Sequence, residues 1–256
     1  MNCTDKELVK KCFNKNFETY HEKAIVQQEI ALELTDMLRD LGIESIDKLL
    51  EVGCGTGFLT QHLLADIEVS HYYLNDLAEV AYSENVALLN PRKEQQFIYV
   101  PGDAEKISFP KGLDAIVSTS TIQWFNELPC FFEKVNSVLN KKGLFAFSTF
   151  GPHNFREIKE ASSIGLSYRS LSELEQLLRP SFEILEAKEW LVEKKFSNPI
   201  EVLRHMKLTG VTGLKKSFFG KEKLQAFIKT YQERFSNKDQ SVNLTYNPMI
   251  IIAKKK

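Results

Sequence analysis

The feature that most constrains this chain is a glycine-rich turn between an apolar run and an amphipathic run, in the segment DKLLEVGCGTGFLTQHL (residues 47–63). The apolar run predicts a buried strand over 48–52, and the run after the turn predicts a helix. Gly53, Gly55 and Gly57 carry no Cβ where the chain turns most sharply, so backbone groups can approach a ligand there. The segment therefore predicts a strand, a turn and a helix that together bind a cofactor.

The spacing of the glycines separates this turn from two common phosphate-binding loops. A dinucleotide fingerprint that begins at Gly53 would require glycine where Phe58 stands, and a P-loop would require a lysine that this turn lacks. The pattern is instead E-x-G-x-G-x-G, with Glu51 at the end of the predicted strand. An acid at this place would repel a pyrophosphate, whereas it suits a ligand that carries an ammonium and a sulfonium.

This pattern resembles the first motif of the class I S-adenosylmethionine (SAM) methyltransferases. A glycine-rich turn in another kind of α/β protein remains the alternative. Predicted strands and helices alternate up to about residue 150, which implies a parallel sheet with right-handed crossovers. The resemblance implies an α/β, Rossmann-like fold: a mostly parallel sheet of seven strands with an antiparallel final strand, N-terminal helices and a helical insertion.

The same resemblance predicts one core with two appended helical segments. Residues 1–42 are expected to form an N-terminal helical cap, residues 43–195 and 237–256 the SAM-dependent methyltransferase core, and residues 196–236 a helical lid insertion. The last two strands of the sheet are expected over 182–192 and 243–253. Pro248 suggests that the final strand lies at an edge or contains a bulge.

Acidic residues after the second and third predicted strands are candidates for contacts to an adenosine. Asp76 stands about twenty residues beyond the glycine turn, where an acid can accept both ribose hydroxyls; a helix N-cap is the alternative role. By resemblance, Asp103 accepts the adenine amino group and the N–H of Ala104 reaches a ring nitrogen. The predicted cofactor-binding residues are Gln27, Glu51, Gly53, Gly55, Gly57, Asp76, Leu77, Asp103, Ala104 and Ser118.

Two aromatic residues are candidates for contact with the methyl acceptor. Trp124 follows the fourth predicted strand, at the sheet edge where open α/β folds bind their ligands, and it can either wall the methyl-transfer site or anchor the core. Tyr20 lies in the N-terminal extension, which packs over the cofactor mouth in similar enzymes. A half-buried aromatic residue at a helix junction is the alternative for Tyr20.

Five further segments resemble one family across nearly the whole chain: FNKNFETYHEKAIVQ, IQWF, STFGPHNFREI, LRHMKLTGVTG and LTYNPMIIIA. They are similar to the malonyl-acyl-carrier-protein O-methyltransferases of biotin synthesis. The resemblance implies transfer of the SAM methyl group to the free carboxylate of a malonyl thioester carried on acyl carrier protein. A carboxyl group with a pKa of about 4 is already ionised at neutral pH, so no catalytic base is expected.

The predicted insertion carries an excess of positive charge. Between residues 194 and 223 there are eight Lys or Arg and two Glu, whereas the whole chain has a net charge of −1. The excess favours an acidic partner, here acyl carrier protein, or an anionic substrate, although a solvated face is the alternative. Arg204 can fix a carboxylate in one plane, or it can be an ordinary surface charge. The predicted substrate-binding residues are Tyr20, Trp124, Arg204, Lys215 and Lys216.

Composition bounds the remaining possibilities. The near-neutral net charge argues against a general nucleic-acid binder, and the chain has no run of apolar residues long enough for a transmembrane helix. The polar start lacks a signal-peptide core, so we expect a cytoplasmic protein. The four cysteines and five histidines show no metal-binding spacing. An O-methyltransferase of another small carboxylic acid and a noncatalytic SAM-binding protein remain alternative functions.

Overall fold

A computed structural model describes residues 4–81, 95–209 and 220–256 of the chain. Its helices are α1 (Lys6–Lys23), α2 (Ile25–Asp40), α3 (Phe58–Asp66), α4 (Leu128–Val138), α5 (Arg156–Ser162), α6 (Leu171–Leu178), α7 (Pro199–Leu208) and α8 (Lys221–Phe235). Its strands are β1 (Ser45–Val52), β2 (Glu68–Asn75), β3 (Gln96–Tyr99), β4 (Leu113–Ser118), β5 (Leu139–Phe150), β6 (Phe182–Glu189), β7 (Val192–Phe196), β8 (Val242–Tyr246) and β9 (Pro248–Lys255). A short 3₁₀ helix covers Ile122–Trp124.

The main sheet has seven strands in the order β3-β2-β1-β4-β5-β9-β6. Strands β1 to β5 pair in parallel, whereas β9 runs antiparallel to both of its neighbours, β5 and β6. Strands β7 and β8 form a separate antiparallel pair. The predicted fold class, a mostly parallel seven-stranded sheet with an antiparallel final strand, is confirmed.

Both faces of the sheet are covered, and β9 shows why its sequence is apolar without interruption. Met249, Ile251 and Ala253 belong to one hydrophobic cluster, while Ile250 and Ile252 belong to the cluster on the opposite face. All five side chains are fully buried. Successive residues of a strand point to opposite faces, so a central strand covered on both sides requires an apolar residue at every position.

The end of the chain differs from its prediction in two ways. The predicted strand over 182–192 ends at Glu189, and Val192 already belongs to β7. The predicted strand over 243–253 is divided at Asn247, which separates β8 from β9. Pro248 is the first residue of β9, which is an interior strand next to the edge strand β6 and not itself an edge strand. Proline is tolerated there because the first position of a strand can do without an N–H donor.

The N-terminal helix α1 lies across the carboxyl ends of the parallel strands. Asp5 caps α1 by accepting a hydrogen bond from the N–H of Leu8. The hydroxyl of Thr19 donates to the carbonyl of Leu208 at 3.2 Å, which joins α1 to α7. No helix in the described ranges is both long enough and apolar enough to cross a bilayer.

Most of the helix predicted after Asp76 falls in residues 82–94, outside the described residues.

Candidate active site

A cleft of about 970 Å³, including its open mouth, lies at the carboxyl ends of β1, β2 and β4. The glycine turn forms its floor and α1 forms its roof. Among the predicted cofactor-binding residues, the cleft is lined by Gln27, Gly53, Gly55, Asp76, Leu77, Asp103 and Ala104. We refer to this cleft as the cofactor cavity.

Glycine is required at position 53 for two reasons. Gly53 has a φ of +74°, and a Cβ built on it would lie 2.2 Å from the Oγ1 of Thr121. The N–H groups of Gly53 and Cys54 both donate to the carbonyl of Asn75, at 2.8 and 2.9 Å. Gly53 and Gly55 therefore line the cavity without side chains, while these two N–H groups hold β1 against β2. Gly57 does not line the cavity; it has a φ of +82° at the N-cap of α3.

Asp76 joins the glycine turn to the next segment of the cavity wall. Its Oδ2 accepts from the N–H of Gly55 at 2.8 Å, and its Oδ1 accepts from the N–H of Ala78 at 2.7 Å. A carboxylate offers about four acceptor sites, so these two contacts do not saturate it. Burial raises the pKa of the Asp76 carboxyl, and backbone hydrogen bonds from Ala78, Gly55 and Leu77 oppose that rise. The carboxylate therefore lies in the cavity wall with capacity to accept from a ribose hydroxyl.

Asp103 lies beneath the first turn of α1. The Nζ of Lys6 is 3.0 Å from Asp103 Oδ1 and 2.7 Å from Glu105 Oε2, and all three side chains are largely buried. The N–H of Glu105 also donates to Asp103 Oδ1. Ala104 is buried in the wall between these acids. The contact between Lys6 and Asp103 links this end of the cavity to α1.

Glu51 does not line the cavity. Its side chain shares a sheet face with Leu49 and turns beneath α3, where Oε2 accepts from Thr60 Oγ1 at 2.7 Å and from the hydroxyl of Tyr72 at 2.6 Å. Burial raises the pKa of the Glu51 carboxyl to about 7, against the effect of these two donors. Glu51 is therefore not placed to contact the ligand ammonium as predicted. It supports the glycine turn from below.

Ser118 is also placed behind the wall. It is fully buried, and its Oγ donates to the carbonyl of Val52 at 2.8 Å, which ties β4 to β1. The three residues that follow it, Thr119 to Thr121, line the cavity instead. The difference arises because Ser118 is the last residue of β4, whereas the three residues after it have left the sheet.

Aromatic residues of α1 and of the loop after β4 close the far end of the cavity. The ring of Tyr20 stacks on Phe58 with centroids 6.0 Å apart, and Phe13 meets Trp124 edge-on at 6.3 Å. Burial raises the pKa of the Tyr20 hydroxyl far above its ordinary value, so it stays protonated at neutral pH. Tyr20 and Trp124 both line the cavity, as does Gln27, which is 5% exposed.

A second cavity of about 350 Å³ adjoins the first. We call it the acceptor chamber. It shares five residues with the cofactor cavity: Phe13, Tyr20, Gln27, Ser120 and Trp124. In the part of the acceptor chamber that is not shared with the cofactor cavity, the side-chain amide of Asn154 donates to the hydroxyl of Tyr168 at 2.9 Å. Burial raises the pKa of Tyr168 to about 12.

Sequence reasoning missed Ser120, Gln123, Asn154 and Tyr168 as lining residues. The first two stand in the loop after β4, whose position at the sheet edge was a usable signal. Asn154 and Tyr168 come from a segment with no local pattern that indicates a binding site.

The structure does not bring Arg204 to either cavity. Its side chain is 69% exposed, and its guanidinium lies 3.7 Å from Glu201 one helical turn away. Helix α7 buries Val202 and Met206, so the side chain at 204 faces outward. The predicted clamp on the substrate carboxylate is therefore not formed by Arg204. Lys215 and Lys216 lie outside the described residues.

The cofactor cavity fits S-adenosylmethionine on its own features. It has two glycines in its floor that allow close contact, a carboxylate with remaining acceptor capacity at Asp76, and a second acid at Asp103. The hydroxyl of Thr56, beside the glycine turn, is buried without a hydrogen-bond partner. An adenosine with a polar amino-acid tail supplies donors and acceptors for these groups.

Comparison with solved structures agrees with this fold. The YcgJ protein of Bacillus subtilis superposes with a TM-score of 0.64 at 13% identity, covering 88% of this chain and 98% of that chain. The N-methyltransferase NodS of Bradyrhizobium japonicum, in complex with S-adenosyl-L-homocysteine, gives 0.51 at 10% identity, covering 89% and 85%. Residues 50–147 match the family model described as "Methyltransferase domain". Fold and site together define a SAM-dependent methyltransferase with a Rossmann-like core.

Curated relatives narrow the class to one family. "Malonyl-[acyl-carrier protein] O-methyltransferase" of Bacteroides helcogenes is 38% identical, covering 98% of this chain and 99% of that protein, and its namesake from Haemophilus influenzae is 34% identical, covering 98% and 95%. A third, from Bacteroides fragilis, is 40% identical over 99% of this chain, which spans 51% of that protein's length. The chain belongs to the malonyl-[acyl-carrier protein] O-methyltransferase family.

Proposed function

We propose that this enzyme transfers the methyl group of S-adenosylmethionine to the free carboxylate of a malonyl group carried on acyl carrier protein, giving the methyl ester that enters biotin synthesis. The names of its relatives support this substrate. The structural observation that carries the proposal is the acceptor chamber, which adjoins the cofactor cavity and shares five lining residues with it. Two adjoining cavities suit a reaction between two bound molecules.

We assign the cofactor cavity to S-adenosylmethionine, which supplies an activated methyl group when bound. Asp76 accepts the ribose hydroxyls, Asp103 and the N–H of Ala104 contact the adenine, and Leu77 packs against the adenosine. Gly53 and Gly55 leave room for the amino-acid part, and Gln27 reaches it from α2. Glu51, Gly57 and Ser118 hold the floor of the cavity in place without touching the ligand.

No residue needs to remove a proton from the acceptor. A malonyl carboxyl group has an ordinary pKa of about 4, so its oxygen is a nucleophile at neutral pH. The hydroxyls of Tyr20 and Tyr168, whose pKa values are raised by burial, remain hydrogen-bond donors and are not bases. The contribution of the protein is therefore alignment and the exclusion of water, and holding two reactants in line can lower a barrier by about 7–11 kcal/mol.

We further propose that the outer face of α7 contacts the acidic carrier protein. Ile200 is 53% exposed, and Arg204 follows it one turn later on the same outward face. Lys207 adds a second exposed cation to this helix. Lys215 and Lys216 follow in the sequence and extend the excess of positive charge. A role in carrier docking accounts for the exposed position of Arg204, whereas the predicted role as a carboxylate clamp does not.

Mass spectrometry of malonyl-acyl-carrier protein after incubation with the enzyme and S-adenosylmethionine tests the function directly. The expected result is a gain of one methyl group, located on the malonyl carboxylate by fragmentation. Acetyl-acyl-carrier protein, which has no free carboxylate, is the matched control and should remain unmodified. Methylation of free dicarboxylic acids in preference to the carrier-bound substrate would contradict the proposal.

A further inference from the structure

Polar side-chain atoms without a hydrogen-bond partner converge on the two joined cavities. Five such buried atoms occur in the described ranges: Gln27 Oε1, Thr56 Oγ1, Ser120 Oγ, Gln123 Oε1 and Trp124 Nε1. Each of the five residues lines the cofactor cavity or the acceptor chamber. Burying a polar atom without a partner costs free energy, and such atoms are rare in native proteins. Their convergence indicates that bound molecules supply the missing partners.

Three of these atoms come from one short loop, residues 120–124, and they differ in chemical character. The indole N–H of Trp124 can only donate, and the hydroxyl of Ser120 can donate to an acceptor oxygen. The side-chain amide of Gln123 donates to the carbonyl of Ser120 at 2.5 Å, which leaves its Oε1 as an acceptor. The loop therefore offers two donors and one acceptor to the chamber.

Within the described part of the chain, no charged side chain lines the acceptor chamber. Among the residues that the structure describes, those that line it are aromatic, aliphatic or neutral and polar. A carboxylate bound here would be oriented by neutral donors. Neutral donors fix the direction of an oxygen but neutralise less of its charge than a guanidinium does, so they leave it more reactive toward the methyl group.

We propose that Ser120 and Trp124 hold the carboxylate of the methyl acceptor, and that Gln123 accepts an N–H from the amide-containing arm of the thioester. Ser120 and Trp124 belong to the wall shared by the two cavities, where the acceptor oxygen must meet the methyl group. Gln123 lines the acceptor chamber but not the cofactor cavity, so it lies on the side toward the rest of the acceptor. This inference rests on the proposed function and specifies how its acceptor is recognised.

Equilibrium binding separates the carboxylate contact from simple packing. Malonyl-pantetheine and acetyl-pantetheine are titrated into the enzyme saturated with S-adenosyl-L-homocysteine, so that no reaction occurs. Trp124→Phe, which removes only the N–H and part of the ring, and Ser120→Ala should each weaken malonyl-pantetheine binding about tenfold, as expected for a lost hydrogen bond to a charged group. Acetyl-pantetheine binding should change less than about twofold, because that ligand lacks the carboxylate. Trp190→Phe, at the tryptophan outside both cavities, is the matched control.

A second variant tests the location of the negative charge. Gln123→Glu keeps the shape of the side chain and adds a charge, so it should weaken malonyl-pantetheine binding far more than acetyl-pantetheine binding. Equal weakening of both ligands by Trp124→Phe, or no discrimination by Gln123→Glu, would overturn the inference. Failure of the wild-type enzyme to bind or methylate a malonyl thioester would instead refute the proposed function.

Discussion

Glu51 is a carboxyl group held in an apolar environment beneath the glycine turn, and it is 1% exposed. Burial raises its pKa from an ordinary value of 4.5 to about 7, although Tyr72 and Thr60 donate hydrogen bonds to it and oppose the rise. Between these two pH values the folded protein binds a proton that the unfolded chain does not. The linkage relation then requires that stability falls as the pH rises through this window.

Because stability falls as the pH rises through this window, removing the Glu51 carboxyl group should change the pH dependence of stability, and Glu51→Gln tests this. The free energy of unfolding of the wild-type enzyme should decrease between pH 5 and pH 8 by up to about 3 kcal/mol more than that of the variant, which cannot ionise at this position. Urea unfolding curves recorded at both pH values measure the difference. Identical pH dependence of the two proteins would show that the carboxyl group titrates normally.

Some roles in the site follow from a residue's place in the chain, and these could be predicted from the sequence. Other roles depend on the direction of a side chain, and these could not. Asp76, Asp103 and Trp124 stand at strand ends, and all three line the predicted cleft. Glu51 is also at a strand end, but its side chain lies on the face that α3 covers. Arg204 was chosen for its chemistry, and only the buried face of α7 shows that it points outward.

At the scale of elements, α1 is held over the cofactor cavity by a small set of polar contacts at its N-terminal end. Lys6 pairs with Asp103 and Glu105, and its Nζ lies 4.4 Å from the centre of the Phe125 ring. These contacts lie at the edge of the cofactor cavity, so they contribute to holding α1 over it.

Lys6→Met tests this role because it keeps the apolar stem and removes the charge. Amide hydrogen exchange in residues 5–12 should become about tenfold faster, since an ion pair of intermediate burial contributes about 1–2 kcal/mol. Lys11→Met, at an exposed position of the same helix, should leave the exchange rates unchanged. Unchanged rates in Lys6→Met would show that apolar packing alone holds α1 closed.

Element boundaries near the end of the chain were harder to predict than the core. The alternation of strands and helices up to β5 has a local signal at each step. The division between β8 and β9 has only a weak signal, Asn247-Pro248, which suggested an edge position or a bulge and not the end of a strand. Only the contacts of Asn247, whose side chain donates to Glu189 and to the carbonyl of Trp190, explain why the chain changes sheets there.

At the scale of the whole molecule, charge is distributed unevenly although its sum is close to zero. The net charge is −1, yet residues 194–223 carry eight cations and two acids. Part of this charge is already paired, as in the contact of Lys195 with Asp239. The exposed cations of α7 remain available for a partner of opposite charge.

Arg204→Glu should slow the reaction of malonyl-acyl-carrier protein about tenfold in kcat/KM, while malonyl-pantetheine should be affected less than about twofold, because charge complementarity acts on encounter with the carrier. The rate with the carrier substrate should also lose part of its dependence on salt concentration. Arg179→Glu, an exposed charge reversal at the C-cap of α6 and outside the basic segment, is the control. An equal loss with both substrates would contradict carrier docking and would instead indicate a contact of Arg204 with the acceptor itself.

The position of β9 between β5 and β6 has a consequence for how this protein is made. During synthesis, residues up to Glu189 can emerge while the slot in the sheet that β9 fills is still vacant. Until then β5 presents a bare edge and β6 lacks its strand partner in the sheet, and bare edges are templates for pairing with other chains. The nascent polypeptide is therefore most exposed to aggregation in the interval before residues 248–255 leave the ribosome.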